Sequence, residues 1–210
     1  MKKLLFGLIA IVLQISTIQA QSIPLTNYGF YHNEGLDAYY KIHSNISEAE
    51  CSKVIPELSK LLKIKYPQEF SNLDDSEIIN AFIGFKTSQF NIISFWNLKK
   101  NGLYSSGNLS PKVGALIDNI LNKNMDVDEV ILEIKNFRNT NSLTQKEKES
   151  LIVFENVLNS SNTYWKSSKK GKPGSQAIIA DGLGALMFCY SGPGAIIAGM
   201  ACSLFVNEAL

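Results

Sequence analysis

The stretch Gln176-AIIADGLGALMFCYSGPGAIIAGMACSLFV-Asn207 decides how this chain is read. From Gly182 to Val206 it carries no charged side chain, and Ser191-Gly192-Pro193-Gly194 interrupts it midway. Pro193 suits the first position of a helix, with Ser191 or Gly192 as its cap. The run therefore predicts two short helices, 175–189 and 193–207, joined at Gly192-Pro193. Small residues recur four apart. Ala180 and Gly184 do so in the first helix, as do Asp181 and Ala185; in the second the rows are Gly194, Ala198, Cys202 and Ala195, Gly199, Ser203. Such rows make smooth grooves in which a second backbone can lie close. In lipid they form a helix-association motif. In water, glycine inside a helix costs about 1 kcal/mol relative to alanine, so tight packing has to offset it. Ala180, Gly184, Gly194, Ala195, Ala198, Gly199 and Ser203 are the expected helix-packing or membrane contacts.

A single transmembrane anchor is the obvious alternative, because about 20 apolar residues suffice to span a bilayer. The Gly-Pro-Gly break leaves two halves, each too short alone. The flanking Lys166, Lys169, Lys170 and Lys172 would also sit on the outer side of an exported protein, against the positive-inside rule. These lysines fit a basic linker over 167–174 that stops a helix at Pro173-Gly174. They equally fit contact with an anionic surface, with Tyr164 and Trp165 as interfacial aromatics beside Lys169, Lys170 and Lys172. Asp181 is costly in an apolar setting unless paired, and it is expected to face a lysine or a helix N-terminus.

The opposite end supplies an address. Met1-Lys2-Lys3, the apolar Leu4–Leu13 and Ile18-Gln19-Ala20 make the pattern of a secretory signal peptide over 1–20. The mature chain is expected to be exported, periplasmic or secreted, with membrane association as the alternative. At about 190 residues it is large enough to bury a core of its own. Without Lys2 and Lys3 its charge is 18 basic against 19 acidic residues, and nothing in that balance points to nucleic acid. Export permits disulfides, yet three cysteines leave at least one unpaired within a monomer. Cys189 and Cys202 are close in sequence. In a hairpin turning at 192–193, however, Cys202 lies about 9 Å further along the axis than the position opposite Cys189, beyond disulfide reach.

Between these ends the chain reads as a helical body over 21–166, in an all-α fold of about five to seven helices with the apolar Gly-rich hairpin at its C-terminus. An extended lead-in precedes a short helix over 32–43. Ser47 with Glu50 forms a capping box before a helix carrying Val54, Leu58, Leu61, Leu62 and Ile64, which Pro56 should kink or split. Asp74-Asp75-Ser76 opens a helix with Ile78, Ile79, Phe82 and Ile83. The segment 87–100 continues it or forms a second helix or a strand, with Phe90, Ile93, Phe95 and Trp96. Ser110-Pro111 caps the next, with Leu116, Ile117, Ile120 and Leu121. Asp126 or Asp128 caps another, with Val130, Ile131, Ile134 and Phe137. Thr144 and Glu147 form a second capping box at the head of the longest helix, running to about Trp165.

No arrangement for catalysis stands out. His32 and His43 are eleven residues apart, about 16 Å along a helix, too far to share a metal. No serine sits in a G-x-S-x-G elbow. Gly182-Leu183-Gly184 lacks the third glycine and the preceding strand of a dinucleotide loop. No catalytic, metal or cofactor-binding residue is assigned, and no small-molecule ligand is predicted.

The tail from Ala180-Asp181-Gly182 through Gly192-Pro193-Gly194-Ala195 to Ala198-Gly199 resembles the glycine-zipper region of class II bacteriocin peptides. More of the chain resembles a group of uncharacterised secreted proteins of Bacteroidetes-type bacteria. The residues that carry this are His32-Asn33-Glu34-Gly35-Leu36, Asn141-Ser142-Leu143-Thr144 with Glu147-Lys148, Tyr164-Trp165, and the tail. That resemblance implies a secreted helical body with a zipper tail and brings no known activity; Cys189 and Cys202 depart from its usual tail. The expectation is an exported, non-enzymatic cell-envelope or secreted protein whose tail packs on its own bundle or on a partner. The alternative is a membrane-active, bacteriocin-like protein whose tail meets lipid or another copy.

Overall fold

A computed structural model describes residues 23–43, 49–123, 125–167 and 174–209. The expected signal peptide, Ser47 and the lysines Lys169, Lys170 and Lys172 lie outside them. Ten α-helices are present among the described residues and no strand. They are α1 (Tyr28–Tyr40), α2 (Cys51–Lys65), α3 (Pro67–Phe70), α4 (Ser76–Ala81) and α5 (Ile92–Ser105). There follow α6 (Pro111–Lys123), α7 (Val127–Thr140), α8 (Gln145–Ser167), α9 (Ser175–Met187) and α10 (Gly194–Ala209). The all-α reading holds. The number of helices exceeds the expected five to seven, in part because Pro67 starts the four-residue α3 directly after α2.

Side-chain caps set several helix starts. Asp126 accepts the Glu129 N–H at 2.8 Å while Glu129 accepts the Asp126 N–H at 3.1 Å, a reciprocal cap for α7. Thr144 and Glu147 do the same for α8. Asn91 Oδ1 accepts from Ser94 N at 2.9 Å and starts α5. Phe90, which precedes it, is extended rather than helical.

Four expectations are corrected. Helix α1 begins at Tyr28 rather than His32, following a 3-10 turn at Leu25–Asn27. A Cβ on Gly29 would lie 2.5 Å from the Asn156 carbonyl oxygen, so α1 is pressed against α8 from its first turn. Helix α2 begins at Cys51, because Glu50 is extended and bridges Lys86, and the Cys51 N–H goes to the Phe85 carbonyl at 3.0 Å. Pro56 does not split α2, which runs unbroken through it with Ile55, Leu58 and Leu62 buried. Finally, Ile64 and Ile83 are 69% and 62% exposed. Ile64 falls off the buried stripe of α2, and Ile83 lies beyond the end of α4, next to Gly84 with φ +86°.

Residues of all ten helices join one hydrophobic cluster. At one end of it Phe82 stacks on Phe95 with ring centroids 4.4 Å apart, and Phe205 of α10 meets Phe82 and Phe90 edge-on at 5.5 Å. Helix α9 packs on α8 and α10, and α10 packs on α1 and α2. Between α5 and α6, Trp96 Nε1 donates to Asp118 Oδ1 at 2.7 Å. Arg138 and Glu155 pair at 2.6 Å between α7 and α8.

Candidate functional site

The two small-residue faces of the tail meet each other. A Cβ on Gly184 would stand 2.5 Å from the Ala198 carbonyl oxygen and 2.8 Å from Cys202 Sγ. One on Gly199 would stand 2.8 Å from the Asp181 carbonyl oxygen and 3.4 Å from Ala185 Cβ. The rows read from the sequence are thus brought together in pairs, Gly184 against Ala198 and Cys202, Gly199 against Asp181 and Ala185. Ala180, Ala195, Ala198 and Ser203 are fully buried. A Cβ on Gly182 would run into Phe154 of α8, and one on Gly194 into Ser191 and, at 3.0 Å, Ile78 of α4. Gly192 turns the chain with φ +60° and ψ −123°, a conformation open to glycine. Pro193 follows it, and α10 begins one residue later than expected, at Gly194.

Trp165, expected at a lipid interface, is 3% exposed. Its ring meets Tyr40 edge-on at 5.8 Å, and the half-buried Tyr164 lies beside it at 5.1 Å. The indole belongs to the core because α8 packs against α1 and α9.

Asp181 is corrected as well. It faces neither a lysine nor a helix N-terminus. The hydroxyl of Ser161 on α8 donates to its Oδ2, and His32 Nε2 of α1 stands 3.7 Å from its Oδ1. Both side chains of the His32–Asp181 pair are completely buried. His32 Nδ1 is 3.1 Å from Asn33 Oδ1, and Asn33 Nδ2 donates to the Ser160 carbonyl at 2.9 Å. Asp181 Oδ1, His32 Nε2 and Ser203 Oγ have no hydrogen-bond partner among the described residues. The residue types are those of a nucleophilic triad, but the order is wrong. The carboxylate lies between hydroxyl and imidazole, whereas an activated serine needs the imidazole in the middle. The sequence held one signal for this cluster: Asp181 is the sole charged residue between Lys172 and Glu208. A lone charge in an apolar run requires a partner, though periodicity does not say which.

The thiols show the same interior. Cys51, Cys189 and Cys202 are free. Burial, helped by the nearby Asp181 charge, pushes the Cys202 thiol well up, and burial raises Cys51 to about 12. The axial offset that argued against a Cys189–Cys202 bridge agrees with this.

No protein-family model, curated protein or solved structure matches this chain.

The tail reaches the surface at its turn. Tyr190 is 46% exposed there, and its hydroxyl donates to Glu77 Oε1 at 2.8 Å. Its ring, which stacks loosely on Phe188 at 6.2 Å, separates two lobes of a cleft of about 470 and 580 Å³. Sequence reading missed this site, since Tyr190 and Lys99 have no periodic or motif signature. Among the described residues, no group of three or more His, Cys, Asp or Glu could hold a metal ion. No described helix is long and apolar enough to cross a membrane.

Proposed function

We propose that this is an exported, non-enzymatic cell-envelope or secreted protein whose Gly-rich tail is the central hairpin of its own helical bundle. The observation that carries the reading is the pairing of Gly184 with Ala198 and of Gly199 with Asp181. The faces suited to a lipid-embedded or intermolecular contact are occupied by each other. The remaining faces of the hairpin are covered by α1, α2 and α8. Ala177 to Met187 and Gly194 to Val206 are buried without exception. Exposing so long an apolar run to water would leave a patch far larger than soluble proteins tolerate. The order Ser161–Asp181–His32 and its complete enclosure support the non-enzymatic part of this reading.

Fractionation of the native host into periplasm, membranes and medium tests the reading, with full-length protein compared to a 1–174 truncation. The expected outcome is full-length protein in a soluble fraction, no flotation with anionic vesicles, and aggregation of the truncated chain. A truncated chain that stays monomeric and helical, with full-length protein floating on vesicles, overturns the reading in favour of lipid insertion by the tail.

A further inference from the structure

We propose that the lobe between α4, α5 and the turn of the tail binds a small monocarboxylate with an apolar body, seating the carboxylate on Lys99. The inference rests on the reading that the tail folds into its own bundle, because Met187, Phe188 and Tyr190 of the tail line the lobe.

Three observations lead there. The first is shape: about 470 Å³ lies within the range of small-molecule sites. The second is the floor, where Met187 and Phe188 from the end of α9 meet Leu103 of α5 and Ala81 of α4. These side chains are almost wholly buried and form its base, and the surface left exposed within the lobe is mostly apolar.

The third is charge. Lys99 lines the lobe, and its ammonium lies 5.6 Å from the centroid of the Phe95 ring. No carboxylate pairs with it among the described residues. Glu77 is the nearby acid, and it is engaged with the Tyr190 hydroxyl. Loss of water around Lys99 holds its ammonium below the ordinary lysine range, with Glu77 opposing at longer range. A partly desolvated cation beside an apolar floor is relieved by an anion that brings its own apolar surface.

The rim completes the match. Asn80 and Asn108 also line the lobe and bring amide donors to it. Lys146 Nζ donates to Asn108 Oδ1 at 3.3 Å from the far side of Tyr190. That contact fixes the oxygen of this amide and leaves its NH₂ to donate. Glu77 and Tyr190 close the lobe at the turn.

The test is an amide-shift NMR titration of the ¹⁵N-labelled mature chain with octanoate and, separately, with octanol. Octanoate is expected to bind with a dissociation constant on the order of 1 mM, shifting amides at Gly102, Leu103, Met187, Phe188 and Tyr190. Octanol is expected to bind about tenfold more weakly. Lys99→Met, which keeps the apolar stem, should weaken octanoate about tenfold and leave octanol unchanged. Lys99→Arg should retain octanoate binding, and Asn80→Trp, at an exposed rim position, should block both ligands. The amide spectrum of each variant reports directly on its fold. Absence of shifts around the lobe in the wild-type chain overturns the proposal. So does equal affinity for octanoate and octanol, or a folded Lys99→Met variant that binds octanoate as the wild type does.

Discussion

Helices α6 to α8 and the α9–α10 pair are built on opposite rules. Each of the former shows one buried stripe and one wet face, and begins at a side chain that satisfies free N–H groups. Asp126 and Glu129 do this for α7, Thr144 and Glu147 for α8. The α9–α10 pair has no side-chain cap at the start of α9, no wet face, and a single charged residue before Glu208. Amphipathic helices orient themselves by solvent. A helix buried all round cannot, so its rotation has to be fixed by shape and by scarce polar contacts. Here shape is the glycine–carbonyl interlock, and the polar contact is Asp181 with Ser161 and His32.

The contrast can be broken at three points. The largest effect is expected from Gly184→Leu. Its Cβ would fall 2.5 Å from a backbone carbonyl, which no rotamer change relieves. The two helices must separate, at a cost of about 3 kcal/mol or more. Loss of a cooperative thermal transition, or insoluble expression, is the expected readout. A soluble variant with an unchanged melting temperature would mean that the pair is not interlocked.

Next comes Asp181→Ala. It leaves the Ser161 hydroxyl enclosed without its acceptor and removes the carboxylate beside the His32 ring, at about 2–4 kcal/mol. Asp181→Asn keeps an acceptor for Ser161 and should cost less. Urea denaturation of both variants decides, and equal midpoints would show that the cluster does not orient α9.

The smallest effect belongs to the periphery. Burial pushes the Glu147 carboxyl up, but hydrogen bonds from Ser110 and Thr144 outweigh it and hold the group below its ordinary value. A carboxylate depressed on folding stabilises above its unfolded pKa, and that contribution disappears as pH falls through the folded value. Glu147→Gln should therefore lose about 1 kcal/mol at pH 7 and show a shallower decline of the urea midpoint between pH 6 and 3. Parallel declines in the two proteins would remove Glu147 from the account.

How far the sequence could be read follows the same division. The caps at Asp126, Thr144 and Ser110 were legible because they are local: the partners lie three residues away. Pro193 and Gly192 were legible for the same reason, as were the rows that face each other in the tail, since a four-residue repeat marks a surface. Which surface they meet is a long-range fact. His32 is 149 residues from Asp181, and no spacing rule links them. Trp165 read as an interfacial ring because it precedes a basic run, yet the packing of α8 against α1 and α9 turned it inward. The cleft was invisible because Lys99, Asn80 and Tyr190 come from three separate segments, brought together only when α9 ends beside α4 and α5.

The free thiols give the molecule a built-in chronometer. Cys51 and Cys202 are enclosed and hard to ionise, so an alkylating reagent reaches them only when α2 or α10 moves away. Cys189 sits half-covered at the turn and reports on that corner alone. The order in which the three are labelled in the native protein would date, residue by residue, the openings that ordinary motion allows.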